Sequence, residues 1–240
     1  PSRNIGSFTF FCVRVRIALE SGMKLALFDL DHTLLNIDSD HAWGEFLIAQ
    51  SLVDEVSHRA RNDQFYEDYK AGTLDAVAYN EFVFEFLSQH DVAYLAGLHE
   101  QFMQQVIRPQ LRPQGQAAID RHRAAGHEIV IITATNAFVT APIAAAFGVD
   151  QLIASQPERV NGRYTGRLQG KPCFQAGKLH HLQAWLAGRM PSESWGYSDS
   201  FNDLPLLTFV DHPIAVNPDT RLHAHALAHG WAIEDWSLPV

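Results

Sequence analysis

Cysteine is nearly absent: the 240 residues carry two, Cys12 and Cys173. That excludes a disulfide scaffold and a Cys-rich zinc site, and it suits a reducing, cytosolic compartment. Long apolar runs are missing too. No stretch of about 20 apolar residues exists, so no segment is expected to span a membrane. Basic side chains are scarce, 18 against 27 acidic ones, and the net charge of −9 leaves no broad basic face for a nucleic-acid backbone. Internal repeats and low-complexity segments are lacking. So are the motifs G-x-S-x-G, H-E-x-x-H, C-x-x-C and G-x-G-x-x-G, which removes support for serine hydrolase, zinc protease and dinucleotide-binding readings. What is present is 47% hydrophobic residues, enough for one substantial core and an accessory unit.

The first 22 residues stand apart. Ser7 to Leu19 looks like a signal peptide, yet Arg14 and Arg16 interrupt its apolar run and no small-residue cleavage site follows. Met23 directly precedes the strand-like run Lys24 to Phe28. Residues 1–22 are therefore expected to be an N-terminal extension, from an over-extended reading frame and outside the ordered fold. An extra edge strand is the alternative.

From Met23 onward, short apolar runs alternate with amphipathic stretches. The runs are Leu25–Phe28, Ile129–Ile132, Leu152–Ala154, Trp195–Tyr197 and Ile214–Val216. Gln116–Ala125 and Leu179–Leu186 carry helical spacing, with Gly126 and Gly188 where C-caps belong. The pattern predicts an α/β fold with a Rossmann-like parallel sheet and helices on both faces. About 100 residues separate the first run from the second, where one crossover needs roughly 30. The excess has aromatic residues at helical spacing: Trp43/Phe46/Leu47, Phe65/Tyr66/Tyr69, Tyr79/Phe82/Val83/Phe86 and Leu95/Leu98/Phe102/Val106. These predict an inserted α-helical cap over 37–107 with a small core of its own, leaving 23–36 and 108–240 as the sheet domain. Asn161-Gly162 predicts a tight hairpin within 158–170.

The first strand runs into Asp29-Leu30-Asp31-His32-Thr33. In an open parallel sheet, ligands bind beyond the carboxyl ends of the strands. Two carboxylates leaving a buried strand at that edge make poor structure and good chemistry, although a turn cluster would also use Asp31 and Thr33. The second strand ends in Thr133-Ala134-Thr135-Asn136, a hydroxyl before a helix start, where Thr135 or Asn136 would equally serve as a cap. Trp195–Tyr197 runs into Ser198-Asp199-Ser200-Phe201-Asn202-Asp203, and Ser200-x-x-Asp203 also fits a capping box. A parallel sheet puts these ends on one edge. Two like charges 4 Å apart repel by about 4 kcal/mol at an effective dielectric of 20, so four converging carboxylates call for a cation. An all-oxygen donor set suits Mg²⁺ and phosphoryl chemistry. Lys178 opens a helix against its macrodipole, which is tolerable where a phosphate shares that end; Lys171 is the competitor.

Together these residues resemble the haloacid dehalogenase superfamily of phosphohydrolases, whose four motifs occur in this order over 23–240. The phrases IITATN, GKLHHL and YSDSFNDLPLL look closest to its phosphoserine-phosphatase-like branch. The resemblance implies roles. Asp29 would be the nucleophile that forms an aspartyl-phosphate, and Asp31 would protonate the leaving alcohol and then activate water. Thr133, Ala134 and Lys178 would hold the phosphoryl oxygens. Asp29, the Asp31 backbone carbonyl and Asp199 would bind Mg²⁺, with Asp203 supporting the metal site or Lys178. The carboxylate at Asp31 favours a phosphatase over the family's dehalogenases and transport ATPases. The branch's phosphoserine phosphatases have Ser-Gly-Gly where this chain has Thr133-Ala134-Thr135, and Gly-Asp where it has Ser198-Asp199, so phosphoserine itself is not carried over.

The expected partner is a small phosphomonoester, with no nucleic acid and no membrane; nothing in the sequence speaks to oligomeric state. Asp38, Asp40 and Glu45, near the cap entrance, are candidate contacts to an amine-bearing substrate such as phosphoserine, an amino-alcohol phosphate or histidinol phosphate. Solvated helix-start carboxylates are the plain alternative. A phosphotransferase or mutase using the same aspartyl-phosphate, and a silent binding protein of the same fold, are the competing functions. His223, His225 and His229 share a helix without a carboxylate or cysteine partner at metal-ligand spacing, so a polar helix face is expected there instead of zinc.

Overall fold

The computed structural model describes residues 22–238, so the extension expected at 1–22 lies, but for Gly22, outside the described residues. The chain runs β1 (Lys24–Phe28), α1 (Ser39–Ala49), α2 (Glu55–Ala71), α3 (Ala76–Ser88), α4 (Val92–Phe102), α5 (Pro113–Ala124), β2 (Glu128–Asn136), α6 (Ala137–Ala146), β3 (Gln151–Val160) and β4 (Arg163–Gln169). It continues through α7 (Ala176–Leu186), β5 (Glu193–Ser198), the one-turn α8 (Leu204–Leu207), β6 (His212–Val216), α9 (Thr220–His229) and β7 (Ala232–Glu234). Among the described residues no helix is long and apolar enough to cross a membrane.

The seven strands form one sheet in the order β4-β3-β2-β1-β5-β6-β7. All neighbouring pairs are parallel except β3 and β4, which run antiparallel across the Asn161-Gly162 turn. Both turn residues have positive φ, 51° and 79°, the mirror-image turn that an Asn-Gly pair accommodates and that matches strand twist. β1 lies at the centre, and Leu25 to Phe28 are fully buried because helices cover both faces. Phe28 pairs with Ile131 on β2 and with Tyr197 on β5, so the three chains leave the sheet side by side. The chain crosses from β1 to β2 on one side and reaches β5 on the other, a topological switch point where such sheets open a crevice.

Of the five helices between β1 and β2, the first four, α1 to α4, fill the long insertion. Each is started by an aspartate, Asp38, Asp54, Asp75 and Asp91, whose carboxylate accepts from first-turn amides. Much of the acidic excess is therefore spent on capping. The aromatic residues of these helices do not form a core apart, as their spacing suggested. Trp43 packs against Phe46, Phe86, Phe102 and Phe138, and all five join one apolar cluster that continues through Phe28, Ile131 and Ile143 of the sheet layer. Periodicity marks which face of a helix is apolar but not what covers it.

On α9, His225 stacks on His229 with ring centroids 3.9 Å apart, beside Trp231. A second histidine pair lies under β5. The His122 ring joins the Tyr197 hydroxyl (2.9 Å) to His127 Nδ1 (2.8 Å). Burial first, then the neighbouring His127 and Arg121, pushes His122 down to about 4. The unfolded chain takes up that proton near the ordinary value of about 6.5. His122 therefore contributes stability that is complete above pH 6.5 and is lost as pH falls toward 4. His122→Gln should be less stable than the parent at pH 7.5, with a gap that narrows steadily at pH 5 in urea unfolding. A gap independent of pH would contradict a neutral, buried His122.

Candidate active site

The site grows out of three adjacent strand ends. β1 hands over to Asp29, whose amide still donates to the Tyr197 carbonyl (2.9 Å). The chain then coils tightly: Leu35 N donates to Leu30 O (2.9 Å), and His32 takes φ of 55°. This turn returns Thr33 to the strand edge, where its Oγ1 lies 3.2 Å from Asp29 Oδ2 and 3.3 Å from Asp199 Oδ1. The same oxygen accepts from Asp199 N (3.0 Å). Thr33 is thus the joint between the first and last strand ends.

Lys178 reaches this cluster from α7. Its Nζ donates to Asp29 Oδ1 (2.6 Å) and Asp203 Oδ2 (2.7 Å), and its side chain is 3% exposed. Gly177 makes the approach possible, because a Cβ there would fall 2.3 Å from the Pro172 carbonyl. Lys171, the alternative in sequence, is exposed. Asp203 does not close a capping box: besides Lys178 it accepts from Ser198 Oγ (2.8 Å). Both contacts fall on Oδ2, as expected of a residue that supports Lys178, the alternative to its place in the metal set.

The electrostatics follow from burial. Desolvation pushes Asp29 up to about 7, against the pull of Lys178 and with help from Asp203 and Asp31. Asp199 is raised well above the carboxylate range by burial and then by Asp29 and Asp203. Burial works against the Lys178 ammonium, but Asp203 and Asp29 outweigh it and keep the lysine charged. Three carboxylates thus share one protein cation, and Thr33 has a single hydroxyl proton to offer Asp29 and Asp199. Asp29 and Asp199, with the Asp31 carbonyl nearby in sequence, supply hard oxygen donors with charge to spare, which fits Mg²⁺.

Asp31 stands on the cavity side. Ser39 N donates to its Oδ1 and Thr135 Oγ1 to its Oδ2, both at 2.7 Å. Thr135 thereby orients the Asp31 carboxyl group, whereas the sequence offers it equally as a helix cap; Asn136 is the cap, accepting from Val139 N. Thr133 Oγ1 accepts from Thr135 N (3.1 Å). Asp29, Asp31, Thr133, Ala134 and Thr135 all line one cavity.

Asp38 and Asp40 line that cavity too. Asp38 caps α1, and burial and Asp31 push it up to about 6. Asp40 is 3% exposed and accepts from Asn136 Nδ2 (3.0 Å). Glu45 is a correction: it does not line the cavity but pairs with Arg59 on α2, beside the His41–Asp63 contact. Four residues read only as helix core, Phe65, Tyr66, Tyr69 and Tyr79, form cavity wall together with Phe174. A helix residue facing a cavity has the same spacing as one facing a core, so periodicity does not separate them.

Residues 26–208 match the family model for haloacid dehalogenase-like hydrolases. A histidinol-phosphatase of Neisseria meningitidis serogroup C is 42% identical over 216 residues, 88% of this chain and 97% of the relative. A phosphoserine phosphatase of Mycobacterium tuberculosis is 30% identical over 218 residues, 89% of this chain and 71% of the relative. Among solved structures, a Bordetella pertussis Tohama I protein of unknown function superposes with a TM-score of 0.84 at 48% identity, covering 90% of this chain and 99% of that one. A substrate-bound phosphoserine phosphatase shares the fold, with a TM-score of 0.66 at 16% identity over 90% of this chain and 94% of that one.

Proposed function

The chain belongs to the haloacid dehalogenase-like hydrolases and is a phosphatase; from that premise we propose that it hydrolyses a small amine-bearing phosphomonoester, histidinol phosphate in particular, through an aspartyl-phosphate on Asp29 and with Mg²⁺. The observation that carries the substrate reading is the placement of Asp38 and Asp40 in the same cavity as Asp29 and Asp31. The 42% identity to a histidinol-phosphatase over nearly its whole length supports it.

In this reading Lys178 holds the Asp29 carboxylate ready for attack on phosphorus. A bond forms between an Asp29 oxygen and phosphorus as the bond from phosphorus to the alcohol oxygen breaks. Asp31, held by Ser39 N and Thr135, gives its proton to that departing oxygen. The carboxylate left on Asp31 then takes a proton from water, whose oxygen attacks phosphorus and frees Asp29. Thr133 and the backbone of Ala134 meet the phosphoryl oxygens, and Lys178 offsets their charge in the transition state. Mg²⁺, held by Asp29, Asp199 and the Asp31 carbonyl, would supply the remaining positive charge that a phosphate dianion needs beside so many carboxylates.

The test is a substrate panel. With Mg²⁺, kcat/KM for histidinol phosphate should exceed that for phosphoserine and for 4-nitrophenyl phosphate by tenfold or more. Excess chelator should bring every rate to background, and added Mg²⁺ should restore it. Equal turnover of the three esters would overturn the substrate reading, and turnover persisting in chelator would overturn the metal.

A further inference from the structure

One buried polar atom in the cavity wall has no partner. Asn80, on α3, is 3% exposed and lines the same cavity as Asp29 and Asp40. Its Nδ2 donates to the Ala76 carbonyl (2.6 Å) one helical turn earlier. That carbonyl can only accept, so the orientation of the amide is settled: nitrogen toward the helix, oxygen away from it. The oxygen, Oδ1, is buried and accepts from no group among the described residues. Buried acceptors are nearly always paired, so an orphan in a cavity wall marks a place where a ligand brings the donor.

We infer that Asn80 is a specificity-determining residue that accepts a hydrogen bond from the ring N–H of a heteroaromatic substrate, a role that rests on the phosphomonoesterase reading above. The surroundings say which donor suits it. Asn80 is a neutral acceptor, and the aromatic side chains Phe65, Tyr66, Tyr69 and Phe174 share its cavity, a setting for a flat, weakly charged ring. The ammonium of the same substrate has the two carboxylates Asp38 and Asp40, which also line the cavity. The cavity thus offers one neutral acceptor and two acidic groups, which matches a phosphomonoester carrying both an N–H ring and an amine. An acyclic amino-alcohol phosphate would fill the acidic pair and leave Asn80 unpaired.

The experiment compares histidinol phosphate with phenylalaninol phosphate, which keeps the amine and the phosphate and exchanges the N–H ring for a phenyl ring. A site built around a hydrogen bond rejects an analogue lacking the donor strongly, so the parent enzyme should favour the imidazole ester by about 100-fold in kcat/KM. Asn80→Leu should collapse that ratio to within about threefold, through a raised KM for histidinol phosphate. Asn80→Asp retains an acceptor oxygen and should preserve most of the ratio, and it serves as the second variant where the leucine protein folds poorly. An Asn80→Leu enzyme that keeps the parent ratio, or one that loses both esters in parallel, would overturn the inference while leaving the proposed function standing. A parent enzyme that prefers neither amine-bearing ester to 4-nitrophenyl phosphate would remove the substrate reading, and the role of Asn80 with it.

Discussion

Asp29→Asn should lower kcat for 4-nitrophenyl phosphate by at least about 10³ while changing folding stability by less than about 1 kcal/mol. The two halves come from the same geometry. Removing the attacking carboxylate removes the covalent route, because the other carboxylate held by Lys178, Asp203, does not line the cavity. Stability is spared because the charge at Asp29 is already costly, burial having pushed its carboxyl up to about 7. The asparagine side-chain oxygen can still accept from Lys178 Nζ, now 2.6 Å from Asp29 Oδ1, and the repulsion from Asp203 and Asp31 is relieved. Rates and urea midpoints measured on the same preparation check both. Retention of more than a tenth of the parent rate would remove Asp29 as nucleophile. A large drop in midpoint would mean that the lost activity reflects damage to the fold.

How far this site is legible before any coordinates depends on which physical signal each residue leaves. Asp29 and Thr133 follow apolar β runs directly and Asp199 one residue later, and a parallel sheet has one chemically active edge, so their shared placement at that edge was readable from order alone. Lys178 was readable because a cation in the first turn of a helix is out of place. Glu45 was misplaced for a geometric reason. It lies five positions beyond Asp40, which at 3.6 residues per turn is about 140° around α1, so Asp40 faces the cavity while Glu45 meets Arg59 on α2. Thr135 hid behind its residue type, since capping a helix and orienting a carboxyl use the same hydroxyl. Asn80 left no mark at all. Its significance is an unpaired oxygen, and only the packing of α3 shows that nothing in the chain pairs with it. Among the strands, β7 with three residues is too short for an alternation pattern, and β4 alternates too weakly to declare its antiparallel direction except through its Asn-Gly turn.

The second large effect falls on stability as well as on rate. Lys178→Met should cost about 3–5 kcal/mol of folding free energy, because it leaves Asp29 and Asp203 buried without the ammonium that both contact. The methionine fills much of the lysine stem's space, so a cavity is not the main cause. The cost is uncompensated charge, and that makes a specific statement about the double variant. Asp203→Asn alone removes one partner of a charged lysine and should destabilise by about 1–3 kcal/mol. Combined with Lys178→Met it removes one of the stranded charges, so the pair should be no less stable than Lys178→Met alone, and the two effects should fail to add by 1 kcal/mol or more. Activity should not return in the double variant, since the proposed duty of Lys178 toward the phosphoryl oxygens stays unfilled. Urea unfolding of the four proteins gives the cycle, provided the slope with denaturant is shared among them. Strict additivity would mean that Lys178 and Asp203 act separately, and the reading of Asp203 as the residue that holds Lys178 in place would fail.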